Sequence, residues 1–191
     1  MMLDETFFSP RVPVSVVAIG EASEALLIRS LLEGLGATVQ LHFIGTPADF
    51  LKVISQGDRS PKYLVISAHG DEVGFIFGAY GDDIDLGALH GASMPPKAIA
   101  DSANLPGVIV VSTACSTGTK PFADAFLRGG VAAYIAAEDY PDGSDVPLFV
   151  HLLFHQMLAR HQSPDAALMT VQKYDQEFCM FTHAAPNVRK L

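Results

Sequence analysis

Apolar residues follow two rhythms along this chain, and the rhythms alternate. Val12 to Ile19, Ala37 to Phe43, Tyr63 to Ser67, Val108 to Val111 and Val131 to Ala136 are short runs rich in apolar and β-branched residues, and each predicts a strand. The runs at Tyr63 and Val108 are continuously apolar, which suits strands covered on both faces. Between the strands the spacing becomes helical. Ala22, Ala25, Leu26, Ile28, Leu31, Leu32 and Leu35 predict a helix over Glu21 to Leu35, closed by Gly34 and Gly36. Further helices are expected from Thr46-Pro47 to about Gln56 and from near Pro95-Pro96, each opening on a proline. Another runs from Lys120-Pro121 through Leu127, with Thr119 at its N-cap and Gly129-Gly130 as its stop. Two more are expected over about Val146 to Arg160 and from Ser163-Pro164 to about Phe178. The stretch after His69 predicts a short hairpin turning near Tyr80-Gly81, and the tail from Met180 is ambiguous, with Thr182-His183 open to a last strand. Strands alternating with helices at this spacing predict one α/β domain over residues 1–191, a three-layer sandwich around a mainly parallel central sheet.

Composition narrows the partners more than the fold. A chain of 191 residues can bury a core without disulfides or metals. Its two cysteines leave no obvious structural pair, which favours a reducing compartment. The start Met1 to Phe8 has no basic segment or long apolar run, so a cytoplasmic protein with no membrane span is expected. The net charge of −9, from 12 Lys+Arg against 21 Asp+Glu, disfavours a nucleic-acid surface and makes a basic peptide or protein the easier partner.

The chemistry centres on Cys115. It follows the Val108 strand in Ser112-Thr113-Ala114-Cys115-Ser116-Thr117-Gly118, at the strand end where α/β proteins gather ligands. A nearby helix N-terminus and free N–H groups would favour the thiolate. The plainer alternative is a cysteine that only packs. The Tyr63 strand ends in Ala68-His69-Gly70, so two inner strands each present a reactive residue at the same kind of end. His upstream of Cys makes a nucleophile and its base.

Rival chemistries lack parts. Gly20 stands alone where a phosphate loop needs several glycines, and Glu21 would repel an anion there. His151 and His155 have metal-capable spacing but no Glu base between them, so neither a metal nor a cofactor is expected. A Cys-His-Glu amidotransferase needs a histidine downstream of the cysteine, followed by Glu two residues on, and none of His151, His155, His161 or His183 meets this. His42, His90 and His161 read as surface or loop residues, the acidic run from Asp71 to Asp85 as solvated loop, and Cys179 as packed on its helix.

Ser67-Ala68-His69-Gly70-Asp71-Glu72, with Ile76-Phe77-Gly78 and Ile84-Asp85-Leu86, resembles the His-Gly loop and hairpin of the caspase-like cysteine peptidases. Ala114-Cys115-Ser116-Thr117-Gly118 is more similar to the Ala-Cys-x-Ser/Thr-Gly of the CHAT domains, relatives of separase. Ala123 to Val131 and Ser163 to Leu168 with Gln172 extend that likeness, which runs from about Tyr63 to Gln172. The resemblance implies a caspase-like fold and a cysteine endopeptidase with His69 and Cys115 as its dyad, the N–H groups of Gly70 and Cys115 forming the oxyanion hole. It equally allows a non-catalytic or partner-regulated signalling module on the same scaffold, with a regulatory protein as partner. The chain has no Trp, and Glu138-Asp139 stands where the family has an apolar residue followed by Trp. Ser116 replaces the Arg that follows the caspase cysteine, which counts against cleavage after acidic residues. In the relatives, the loop after the strand that follows the cysteine helix supplies a pocket acid. Here that loop holds Glu138, Asp139, Asp142 and Asp145, so the expectation is cleavage after Arg or Lys with Asp139 or Asp142 in the pocket.

Overall fold

The computed structural model describes residues 11–183. Five of the strands form where the apolar runs place them: β1 (Val12–Ile19), β2 (Ala37–Ile44), β3 (Tyr63–Ser67), β6 (Ile109–Ser112) and β7 (Ala133–Ala137). With β8 (Phe178–Thr182) they make a six-stranded sheet in the order β2-β1-β3-β6-β7-β8. All neighbours are parallel except β7 and β8.

Both faces are covered, which is why β3, β6 and β7 are buried at every position. On one face Val16 and Val65 pack with residues of α1 (Ser23–Gly34), α5 (Asp145–Phe154) and α6 (Pro164–Val171). On the other, Val17, Ile66 and Val110 meet α2 (Pro47–Val53), α3 (Pro96–Ser102) and α4 (Lys120–Arg128). The expected three-layer α/β architecture is therefore present. Two helix starts are pinned by side chains, Thr46 accepting from the Asp49 N–H and Ser163 from that of Ala166. Thr119 occupies the N-cap of α4 without such a bond.

Chain routing opens the cleft. From β1 the chain crosses to β2 through α1 on one face, whereas from β3 it reaches β6 through α3 on the other. Departures to opposite faces from adjacent parallel strands leave a crevice at their carboxyl ends, the usual ligand position in such sheets.

Three expectations change. The hairpin pairs β4 (Phe75–Ile76) with β5 (Ser93–Met94), so the chain does not simply turn back at Tyr80-Gly81. Phe75 and Phe77 lie edge-on to Phe50, with ring centroids 5.7 and 5.9 Å away, and the polar stretch after Gly78 has no apolar strand to return. The last helix ends at Val171 and not near Phe178. Beyond it Lys173, Tyr174, Gln176 and Glu177 are exposed and offer no apolar stripe, while Phe178 stacks on Phe149 at 3.6 Å and starts β8. Cys179 accordingly lies on a strand, not a helix. The helix after Asp145 continues past Phe154 as a π-turn, His155–Ala159. Thr182 does lie on the last strand, whereas residues 1–10 and 184–191, including the start and the end of the ambiguous tail, lie outside the described residues. Among the described residues no helix is long and apolar enough to cross a membrane.

The Phe149–Phe178 stack fastens β8 to the sheet through α5. Phe178→Ala is expected to lower the unfolding free energy by about 3–5 kcal/mol, the usual cost of deleting a buried Phe ring, measured by urea titration. A change below about 1 kcal/mol would show that β8 is held chiefly by its backbone pairing.

Candidate active site

His69 and Cys115 line one cleft of about 180 Å³ at the carboxyl edge of the sheet. That is smaller than the roughly 300–1,000 Å³ common for small-molecule sites, and suits one side chain. The cleft wall combines the end of β1 and start of α1 (Ile19, Glu24), the end of β3 (Ser67, His69) and the end of β6 (Thr113, Cys115). His69 is exposed and Cys115 half-buried.

The two loops touch through glycine. A Cβ on Gly70 would lie 2.2 Å from the Cys115 carbonyl oxygen and 3.1 Å from its nitrogen, so only glycine lets the His loop lie against the Cys turn. Among the described residues neither the Gly70 nor the Cys115 N–H has a backbone acceptor.

Buried hydroxyls shape the Cys turn. Ser112 Oγ lies 3.0 Å from Thr117 Oγ1, Thr117 Oγ1 donates to the Ala114 carbonyl at 2.8 Å, and the Tyr134 hydroxyl donates to the Thr117 carbonyl at 3.0 Å. Ser116 is left-handed at φ 56°, and its N–H donates to the Asp139 carbonyl at 3.0 Å. A non-glycine residue in that region directly after a candidate nucleophile is strain of the kind functional turns hold. Gly118 passes so close to β7 that a Cβ would sit 2.6 Å from the Ala137 carbonyl oxygen. The small residues around Cys115 are thus structural requirements of the turn.

The His loop is clamped by Asp71. Its Oδ1 accepts the N–H groups of Val73 (2.9 Å) and Gly74 (2.8 Å), and its Oδ2 accepts the Ser93 hydroxyl at 2.8 Å. Partial burial pushes the Asp71 carboxyl up, but these donors outweigh it and hold it below the ordinary value. Tyr140 donates to Glu72 at 3.0 Å, tying the loop after β7 to the His loop.

The surroundings of Cys115 oppose the thiolate expected there. Burial pushes Cys115 up; its own N–H opposes this, and the charges of Glu24, Asp139 and Glu177 reinforce it. The helix expected to favour the anion begins at Lys120, where the sequence places it. Cys179 is pushed up to about 12, by burial first and then by Glu138, and its thiol donates to the Gly118 carbonyl at 3.2 Å.

Of the acids expected in the pocket, neither Asp139 nor Asp142 is on the cleft wall. Pro141 and Gly143 are, but the Asp142 carboxylate turns into its own loop, accepting the Ser144 N–H at 2.8 Å and hydroxyl at 2.7 Å, and Asp139 is exposed. The acid held inside the cleft is Glu24, whose Oε1 accepts the hydroxyls of Ser67 and Thr113, each at 2.7 Å. Reading the sequence missed it. One signal was available: Ser67-Ala68-His69 and Thr113-Ala114-Cys115 both place a hydroxyl two residues before the reactive group. His151 and His155 stack at 6.4 Å, and no group of three metal-capable side chains exists among the described residues.

No protein-family description and no curated protein matches the sequence. Solved structures match the fold. The Arg specific cysteine proteinase gingipain R superposes with a TM-score of 0.54 at 15% identity, over 86% of this chain and 43% of that one. The complex of the Porphyromonas gingivalis RgpB pro- and mature domains gives 0.54 at 14%, over 85% and 43%. The Saccharomyces cerevisiae separase–securin complex gives 0.55 at 12%, over 93% and 13%. The chain spans less than half the length of each of these proteins. At these identities the likeness is one of fold: a mixed α/β domain with a mainly parallel six-stranded sheet, the caspase-like fold.

A carboxyl held low in the folded state stabilises above its unfolded value and is lost as pH falls through its folded one. The Asp71 clamp should therefore be intact at neutral pH and open in acid, below the ordinary carboxylate range near about 4. In hydrogen exchange, Asp71→Ala should lower the local opening free energy of residues 73–76 by about 1–3 kcal/mol at pH 7 and remove its acid dependence. Unchanged protection would mean that the loop is held by its apolar side chains alone.

Proposed function

We propose that this chain is a cysteine endopeptidase of the caspase-like kind, related to CHAT domains, with His69 and Cys115 as its dyad and a preference for cleavage after Arg or Lys. The observation that carries the reading is that His69 and Cys115 line one cleft, with the backbone of Gly70 packed against that of Cys115. That gingipain R is described as an Arg specific cysteine proteinase supports a peptidase on this fold. The basic preference rests on the cleft itself: Glu21 and Glu24 line it, and among the described residues no Lys or Arg does.

The reaction starts from the thiol, because burial and nearby carboxylates keep Cys115 protonated. As the sulfur bonds to the scissile carbonyl carbon, its proton passes to His69 and the oxygen takes the negative charge beside the N–H groups of Gly70 and Cys115. The oxyanion collapses, the C–N bond breaks, and His69 returns the proton to the leaving amine. Water then adds to the thioester while His69 takes one proton. The C–S bond breaks and Cys115 regains its proton, so the net change is peptide plus water to acid plus amine.

A second reading is favoured by the same thiol. A nucleophile suppressed in the resting state suits a module that a protein partner must activate, or one that only binds. The pairing of separase with securin in one matched structure is a precedent for a protein partner on this fold.

Cys115→Ala and His69→Ala should each abolish cleavage of a P1 Arg peptide, a loss on the order of 10³-fold or more, with melting temperature nearly unchanged. Cleavage at the wild-type rate in both variants would remove the dyad. A wild type that cleaves no peptide but binds a protein at this cleft would leave the binding module in its place.

A further inference from the structure

Glu21 and Glu24 both line the cleft; Glu21 is exposed, whereas Glu24 is half-buried in a placement that the dyad does not explain. It stands in the first turn of α1 and reaches across to β3 and β6, accepting Ser67 Oγ and Thr113 Oγ1 on the same oxygen. Ser67 and Thr113 are buried at the strand ends, so the carboxylate is fixed between the strands that carry His69 and Cys115. Among the described residues nothing bonds its Oε2. A carboxylate offers about four acceptor sites, so those of Oε2 remain free for a ligand. Among the described residues no Lys or Arg lines the cleft. Enclosing this carboxylate under a substrate would be costly unless the substrate brings the opposite charge.

We propose that Glu24 selects a cationic substrate side chain in this cleft, and that its pairing with that cation releases the Cys115 thiol for attack. The claim rests on the peptidase reading for its substrate and on the cleft geometry for its electrostatics. Cys115 is faced by Glu24 from α1, His69 from the loop after β3, Asp139 and Tyr140 from the loop after β7, and Glu177 from before β8. Glu24 is the first of the charges that oppose ionisation of the thiol. A guanidinium or ammonium seated on it cancels that field where the nucleophile needs it cancelled. Asp139 and Glu177 keep theirs. A substrate without the cation would therefore occupy the cleft beside a thiol still held in its protonated form.

The first experiment needs no catalysis. Alkylation of Cys115 by iodoacetamide is followed against pH, with the modified peptide read by mass spectrometry and folding checked by melting. Glu24→Gln retains an oxygen to accept both hydroxyls, and should move the midpoint to lower pH. Agmatine, a guanidinium with no carboxylate, should move it the same way in wild type and not in Glu24→Gln. The second experiment is a P1 library, in which Glu24→Gln should reduce the preference for P1 Arg or Lys over P1 Ala on the order of 100-fold. Asp139→Asn and Asp142→Asn should leave that preference in place. A profile unmoved by both Glu24→Gln and agmatine overturns the release of the thiol. A basic preference that survives Glu24→Gln but falls with Asp139→Asn or Asp142→Asn overturns the selection while leaving the peptidase reading standing. If no peptide is cleaved, the peptidase reading falls and the alkylation profile alone decides the role of Glu24.

Discussion

Backbone contact between Gly70 and Cys115 is the constraint on which the cleft depends. The absent side chain at Gly70 lets two crossover loops, from strands adjacent in the sheet, lie with one against the carbonyl of the other. That proximity places an imidazole and a thiol in one crevice. The rest of the architecture holds the contact in place. The parallel register of β3 and β6 sets the height of the two loops, the Asp71 clamp fixes one, and the hydroxyl network from Ser112 to Thr117 fixes the other.

Electrostatics then decide what the site can do at rest. A cleft with two carboxylates on its wall repels anions and opposes formation of a thiolate within it. Such a site favours a ligand that carries positive charge, because that charge can pair with the carboxylates.

Much of the fold was legible because the inner strands are buried on both faces and read as unbroken apolar runs. The same burial made His69 and Cys115 conspicuous as reactive groups at the ends of such runs. The tail was not legible: Phe178 belongs to a strand because it stacks on Phe149, a contact between residues far apart that periodicity cannot express. The hairpin was misjudged for a related reason, since Phe75 and Phe77 answer to Phe50 rather than to the nearest turn. In the site, a loop rich in acids drew attention to Asp139 and Asp142, yet Asp142 serves its own turn. Glu24 was hidden because it reads as an ordinary first-turn acid of α1, and only the sheet order β1-β3-β6 brings it beside His69 and Cys115.

The most direct test of the account is covalent mapping with a peptidyl acyloxymethyl ketone carrying Arg at P1, which bonds to a thiol only when that thiol is an activated nucleophile beside a bound peptide. The account predicts a single adduct on Cys115, absent in His69→Ala, with Cys179 unmodified because its thiol is pushed up to about 12. No adduct on the folded protein, or an adduct confined to Cys179, would contradict it.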